Sequence, residues 1–185
     1  MASFIEIFGD YIELVPGCDA ARGEICGLRL DQARRALTVT LVLDELVPRG
    51  ALSELGRKLE GALTLDTAAV CPRYPGGLFS SDYLPEIIAR LGGEGVPVNG
   101  FFTGSRADLS GDTLRVYLSH GGGPFLEEIH CGQKISAVIR EEFGREVQVL
   151  FDGVLEVAPD SDIYHETMDK ARPAPIKYTP PSPQR

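Results

Sequence analysis

The sequence predicts an α+β fold of two small lobes, each running helix–strand–strand–helix–strand, followed by a disordered, proline-rich tail. Two periodicities and one stretch of chain carry that prediction. Apolar residues alternate with polar ones at Leu37, Val39, Leu41 and Leu43, the mark of a strand with one face on a core. They recur every three or four positions at Leu52, Leu55, Leu59 and Leu63, the mark of a helix with one buried stripe. The stretch Asp112–Asp152 combines both as strand, glycine turn, helical segment and strand, and the rest of the chain is arranged around it.

From the N-terminus, Phe4, Ile5, Phe8, Ile12 and Val15 predict a short amphipathic helix over 2–15, ended by Pro16 and Gly17. Glu24–Leu30 and Leu37–Leu43 form a hairpin joined by Asp31–Arg35. Pro48 and Gly50 lead into the helix of the leucine stripe. Leu65–Val70 reads as a third strand, and Pro72-Arg73-Tyr74-Pro75-Gly76-Gly77 breaks the chain.

The second half opens on a helix with Asp82 as N-cap, Pro85 in the first turn and the stripe Leu84, Ile87, Ile88, Leu91, since proline lacks only an N–H that the first turn leaves unpaired anyway. Gly92, Gly93 and Gly95 end it, and Val98–Leu109 is extended. Leu114, Val116 and Leu118 alternate as a strand, and Gly121–Pro124 turns the chain. The stripes Phe125, Leu126, Ile129 and Ile135, Val138, Ile139, Phe143 are out of phase across His130–Lys134, which predicts a kink or two short helices. Gly144 stops the helix, and Val147, Val149 and Phe151 form the closing strand. The element order thus runs once over 2–70 and again over 82–152, without a residue-level repeat. The expected organisation is an N-terminal lobe over 1–75, a second lobe over 78–157 and a linker over 158–185.

Composition narrows the function classes. The chain has 185 residues, 43% hydrophobic and 24% charged, with a net charge of −9. That balance opposes tight binding to a phosphate backbone, which takes clustered lysine and arginine. No stretch reaches the roughly 18 apolar residues of a spanning helix. Glu6 and the lack of a basic run before the first apolar residues argue against a secretory signal. Cys18, Cys26, Cys71 and Cys131 form no CxxC pair, so free thiols in a cytoplasmic protein are expected.

Candidate chemistry is sparse. Neighbouring His130 and Cys131 diverge by roughly 100° on a helix and suit one metal ion poorly. Cys131 with a histidine could form a nucleophile pair, but no orienting Asn or Asp stands in a recognisable motif, and a small buried hydrophobe is the plainer reading of the cysteine. Gly121-Gly122-Gly123-Pro124 lacks the phosphate-binding P-loop frame. Catalytic residues, cofactor ligands and metal ligands are therefore expected to be absent. In the tail, Pro173, Pro175, Pro180, Pro181 and Pro183 fall without apolar periodicity, an extended linker, with Pro180-Pro181-Ser182-Pro183 as the best segment for a proline-recognising partner.

The order strand, helix, short loop, helix, strand is that of KH-type domains, whose GxxG loop clamps a nucleic-acid backbone. The equivalent loop here would be Gly132, Gln133, Lys134 and Ile135, with one glycine instead of two. Lys134 and Arg140 face Glu127, Glu128, Glu141 and Glu142 nearby, so a degenerate KH-like lobe is expected without its nucleic-acid role.

The chain also resembles the N-terminal region of PolC-type DNA polymerase III. The resemblance runs through Gly27-Leu28-Arg29-Leu30-Asp31, Ala36–Leu41 and Leu46-Val47-Pro48 in the first half. In the second it runs through Tyr83–Ile88, Gly111–Val116, Ile139–Gly144 and Val147–Leu150. It covers most of residues 1–157, and none of these motifs is catalytic. It implies a small α/β domain first, then a lobe similar to the C-terminal, degenerate KH-like domain of the clamp-loader tau subunit. It further implies a non-catalytic tethering region that contacts tau or other replisome proteins, while the acidic balance argues against direct nucleic-acid binding as the main role and no membrane partner is expected. The polymerase and 3'-5' exonuclease sites of such a protein would lie beyond Arg185, past an oligonucleotide-binding barrel reached through the proline tail. A nucleic-acid-binding KH-like module and a small stand-alone cysteine enzyme are the competing expectations.

Overall fold

Two three-stranded sheets of the same pairing pattern organise the chain. The first has the order β1-β2-β3, from Glu24–Asp31, Ala36–Val42 and Thr67–Arg73. The second has the order β4-β5-β6, from Arg106–Ser110, Thr113–Tyr117 and Gln148–Asp152. In each, the first pair is antiparallel and the second parallel. Tight turns suffice for the antiparallel pairs, and the parallel pairs need helical crossovers. These crossovers are α2 (Arg49–Leu63) in the first sheet and α4 (Gly123–Glu128) with α5 (Cys131–Phe143) in the second. A short α1 (Phe4–Phe8) precedes the first sheet, and α3 (Leu84–Gly93) precedes the second. This computed structural model describes residues 2–11, 22–98 and 100–153. The proline-rich linker, His165, Cys18 and the end of the helix expected over 2–15 lie outside them.

Local chemistry explains most boundaries. Ser3 and Glu6 form a reciprocal capping box that starts α1, satisfying two donors the first turn would leave unpaired. On α2, Leu52, Leu55 and Leu59 face the sheet. Gly56 lets the helix approach β3, because a Cβ there would lie 2.4 Å from the Ala68 carbonyl oxygen. The Glu60 carboxylate accepts from the Ala68 N–H at 2.8 Å and holds the same contact. His130 takes a left-handed conformation with φ 55°, so the two out-of-phase stripes resolve into α4 and α5. Gly144, with φ 64°, ends α5, a conformation glycine adopts without steric cost.

Three expectations are corrected. The third strand does not stop at Val70 but runs through Pro72 to Arg73. Proline is tolerated there because β3 is an edge strand of its sheet and need not donate outward. Asp82 is not the N-cap of α3: it sits in a single 3-10 turn, Ser81–Tyr83, whose tight backbone bonds lead straight into the helix, and Tyr83 occupies the cap position. The extended segment expected from Val98 becomes strand only at Arg106, with turns closed by Thr103 on Gly100 and Ser105 on Phe102.

The buried apolar residues of both halves belong to a single cluster. At the expected lobe boundary of 75–78, Tyr74, Phe79 and Tyr83 surround Phe143 of α5 with ring centroids 5.0–5.2 Å away. The Tyr74 N–H donates to the Glu142 carbonyl at 2.6 Å. Each half has its own sheet, and both share this aromatic junction.

Candidate functional site

The four residues expected to form a KH-type loop do not form one. Gly132, Gln133, Lys134 and Ile135 lie in the first turn of α5, and the chain reverses before them, at Ile129–His130. The positive φ at His130 supplies the turn that a glycine would otherwise make. Gln133 and Lys134 are exposed and Ile135 is buried in the core.

Beside this turn runs a groove of about 630 Å³ between α5 and the edge strand β6. Gly132, Ser136 and Ala137 keep its helical wall low, and His130 and Arg140 sit in it with the acidic Glu127 and Asp152. Its charges are mixed rather than a cationic track. A second groove, about 940 Å³, lies between α3 and the edge strand β4, with Leu84, Ile88, Val98 and Phe102 among its apolar lining.

Among the described residues, neither His120 nor His130 is hydrogen-bonded to Cys131. Its side chain is fully buried, and burial pushes the thiol up to about 11 against the weak pull of Lys134. His130 beside it is exposed, and so is His120 past the end of β5. A thiol of that basicity is almost entirely protonated near neutral pH and a poor nucleophile. Among the described residues, no group of three or more His, Cys, Asp or Glu is placed to hold a metal ion.

The most elaborate polar constellation escaped the sequence reading. Glu142 is 1% exposed. Its carboxylate accepts from Arg49 Nη2 at 2.7 and 3.0 Å, from Arg90 Nη1 at 2.8 Å and from the Tyr83 hydroxyl at 3.0 Å. Arg49 also donates through Nε to the Glu86 carbonyl at 3.0 Å, and Arg90 reaches Glu94 and Glu141 at 2.8 and 2.6 Å. Burial, aided by the Glu142 charge, holds the Tyr83 phenol far above its ordinary range, so it stays a donor. Every buried side-chain nitrogen and oxygen among the described residues has a partner. A buried carboxylate that accepts four hydrogen bonds fits a structural joint between α2, α3 and α5. The signal was present in the sequence: Glu142 continues the buried stripe Ile135, Val138, Ile139, and a carboxylate on such a stripe needs cationic partners.

What faces outward is apolar in places. Ile5, Ile7 and Tyr11 around α1, Leu28 and Leu30 on β1, and Leu46, Tyr117 and Phe125 are exposed. Fold and surfaces together define a mixed α+β chain with satisfied interior polar groups and open sheet edges. Comparison with protein-family models and with curated proteins returns no match.

Proposed function

We propose that this chain is a non-catalytic protein-interaction and tethering region of a bacterial replicative DNA polymerase of the PolC type. Its second half is KH-like, its setting is the cytoplasm, and its partner is the clamp-loader tau subunit or another replisome protein. The observation that carries this reading is the pair Leu28 and Leu30, which stand exposed on an edge strand while the buried charges are spent on internal joints. An apolar surface of that kind is what a protein partner covers. The series α3-β4-β5-α4-α5-β6 around an antiparallel–parallel sheet supports the KH-like description. The acidic net charge and the mixed-sign groove beside β6 favour a protein over a phosphate backbone. Among the described residues no helix is long and apolar enough to cross a membrane.

The test is a titration of the chain against purified tau subunit and, separately, against labelled single-stranded DNA, at low and at physiological salt. Binding to tau that survives salt, with little DNA binding, is the expected result. Salt-sensitive DNA binding without tau binding would return the second half to nucleic-acid recognition and overturn the proposal.

A further inference from the structure

The register of β6 fixes which of its backbone groups point away from the sheet. The Gln148 N–H donates to the Asp112 carbonyl at 2.8 Å, and the Asp152 carbonyl accepts from the Leu118 N–H at 2.8 Å. Gln148 lies opposite Thr113 and Asp152 opposite Tyr117 in a parallel pair, so Gln148, Leu150 and Asp152 turn both backbone groups toward β5. Val149 and Phe151 between them turn their N–H and C=O groups outward, where no partner meets them among the described residues. These outward pairs repeat at about 6.6 Å, the interval at which a second extended chain offers its own.

Open sheet edges are commonly blunted by prolines, bulges or charges. Pro72 interrupts β3, and β1 carries a bulge between Ile25 and Gly27. The strand Gln148-Val149-Leu150-Phe151-Asp152 keeps an unbroken register and has neither proline nor glycine.

The groove beside this edge has room for a backbone. Gly132, Ser136 and Ala137 form a low wall on α5. Gly132 presents no side chain to the Val149 carbonyl oxygen, and a Cβ at 132 would lie 3.4 Å from it. Arg140 has no carboxylate in ion-pair range among the described residues, and its neighbours Glu141 and Glu142 are taken by Arg90 and Arg49. Asp152 is taken by Arg115 at 3.4 Å, whereas Glu127 has no cationic partner among the described residues. One unpaired charge of each sign suits a peptide with an acidic and a basic side chain. A phosphate backbone calls for a run of cations instead.

We propose that β6 takes an extended peptide segment of a protein partner as a fourth strand of the second sheet. The segment hydrogen-bonds to the outward groups of Val149 and Phe151, sits between β6 and α5, and places an acidic side chain at Arg140 and a basic one at Glu127. This rests on the interaction-region reading above and gives it a specific surface. A second copy of the chain is the competing occupant, and a net charge of −9 on each copy opposes it.

The probe is a phage-displayed library of random peptides of about ten residues, the upper length of a common strand, selected against the full 185-residue chain. The best binder is synthesised with fluorescein and followed by fluorescence anisotropy. Methylating its alternate backbone nitrogens in the phase that faces β6 should weaken binding at least about tenfold, and methylating the other phase should not. Amide exchange read by NMR should show Val149 and Phe151 unprotected in the chain alone and slowed at least about tenfold by the peptide. Gly132→Leu, which fills the space before the Val149 carbonyl, should weaken binding at least about tenfold. Arg140→Glu, at an exposed position, should weaken it at least about threefold with the melting temperature held within about 2 °C. Failure to select any peptide, equal loss from both methylation phases, unslowed Val149 and Phe151 amides, or unchanged binding by both variants overturns the proposal. So does a labelled single-stranded oligonucleotide that slows those two amides when no peptide does. A dimer in sedimentation that protects the same amides means a second copy holds the edge, and also overturns it. If the peptide binds through β6 but tau does not bind the chain, the replisome assignment fails and the edge stands. If tau binds without slowing the two amides and no peptide is selected, the edge fails and the assignment stands.

Discussion

Replacing Glu142 with alanine tests whether the buried network joins the two halves. The substitution removes a carboxylate that is 1% exposed and that accepts four hydrogen bonds at 2.7–3.0 Å. Arg49 and Arg90, each 18% exposed, lose their shared counter-ion. Arg90 keeps Glu94 and Glu141, whereas Arg49 keeps the Glu86 carbonyl and no carboxylate contact through its guanidinium among the described residues. Breaking a buried pair by deleting one partner costs about 3–5 kcal/mol. The surviving partners of Arg90 and the partial exposure of both arginines place this site near the lower end, about 3 kcal/mol. At about 2–4 °C per kcal/mol for a domain of this size, the melting temperature should fall by roughly 6–12 °C. Differential scanning calorimetry on the full chain measures it. A companion cycle, Arg49→Met with Glu142→Leu, should recover part of the loss, since it removes the arginine left without a carboxylate while Arg90 keeps Glu94 and Glu141. A fall of less than about 2 °C for Glu142→Ala, or no recovery in the double variant, would refute the claim that the network is a joint.

Three further outcomes follow from local geometry. Gly56→Ala should destabilise by about 1–3 kcal/mol, because the new methyl meets the Ala68 carbonyl oxygen at 2.4 Å. Gly61→Ala, five residues along α2 with nothing within 4 Å, should stabilise by up to about 1 kcal/mol; urea unfolding of the two variants checks both signs. Alkylation by iodoacetamide at mildly alkaline pH should label exposed Cys26 and spare buried Cys131, as mass spectrometry of the peptides will show. Because the Cys131 thiol is raised in the folded state from an ordinary value of 9.0 to about 11, the folded chain holds that proton more tightly than the unfolded one. Its contribution is present below about 9 and is lost as pH climbs toward about 11. Cys131→Ala should flatten that part of the stability–pH curve, and an unchanged slope would contradict the assignment.

How much of this was legible in the sequence depends on whether a residue's role is local. The leucine stripe of α2, the alternation of β2, the out-of-phase stripes of α4 and α5 and the Gly144 stop each follow from spacing within about ten residues, and each is where the sequence places it. Pro72 misled because the sequence cannot say that its strand lies at an edge. Asp82 misled because a tight backbone turn can do the work of a side-chain cap. The KH-type order points to Gly132 for the loop, but left-handed His130 makes the turn instead. Glu142 was visible as a charge on an apolar stripe, while its partners Arg49, Tyr83 and Arg90 come from elsewhere in the chain.

The arginine–glutamate joint also sets an order of events during synthesis. Arg49 and Glu142 are 93 residues apart, so at about 5–20 residues per second roughly 5–20 s separate their emergence from the ribosome. During that interval the first sheet can form with α2 over it, while the Arg49 guanidinium remains in water without its buried counter-ion. Docking of α5 has to wait for that emergence, and it brings Glu142 to Arg49 and Phe143 to the aromatic junction. Nascent chains halted before residue 142 would therefore expose Tyr74, Phe79 and Tyr83, and this is the window in which a chaperone or a neighbouring nascent chain would find them.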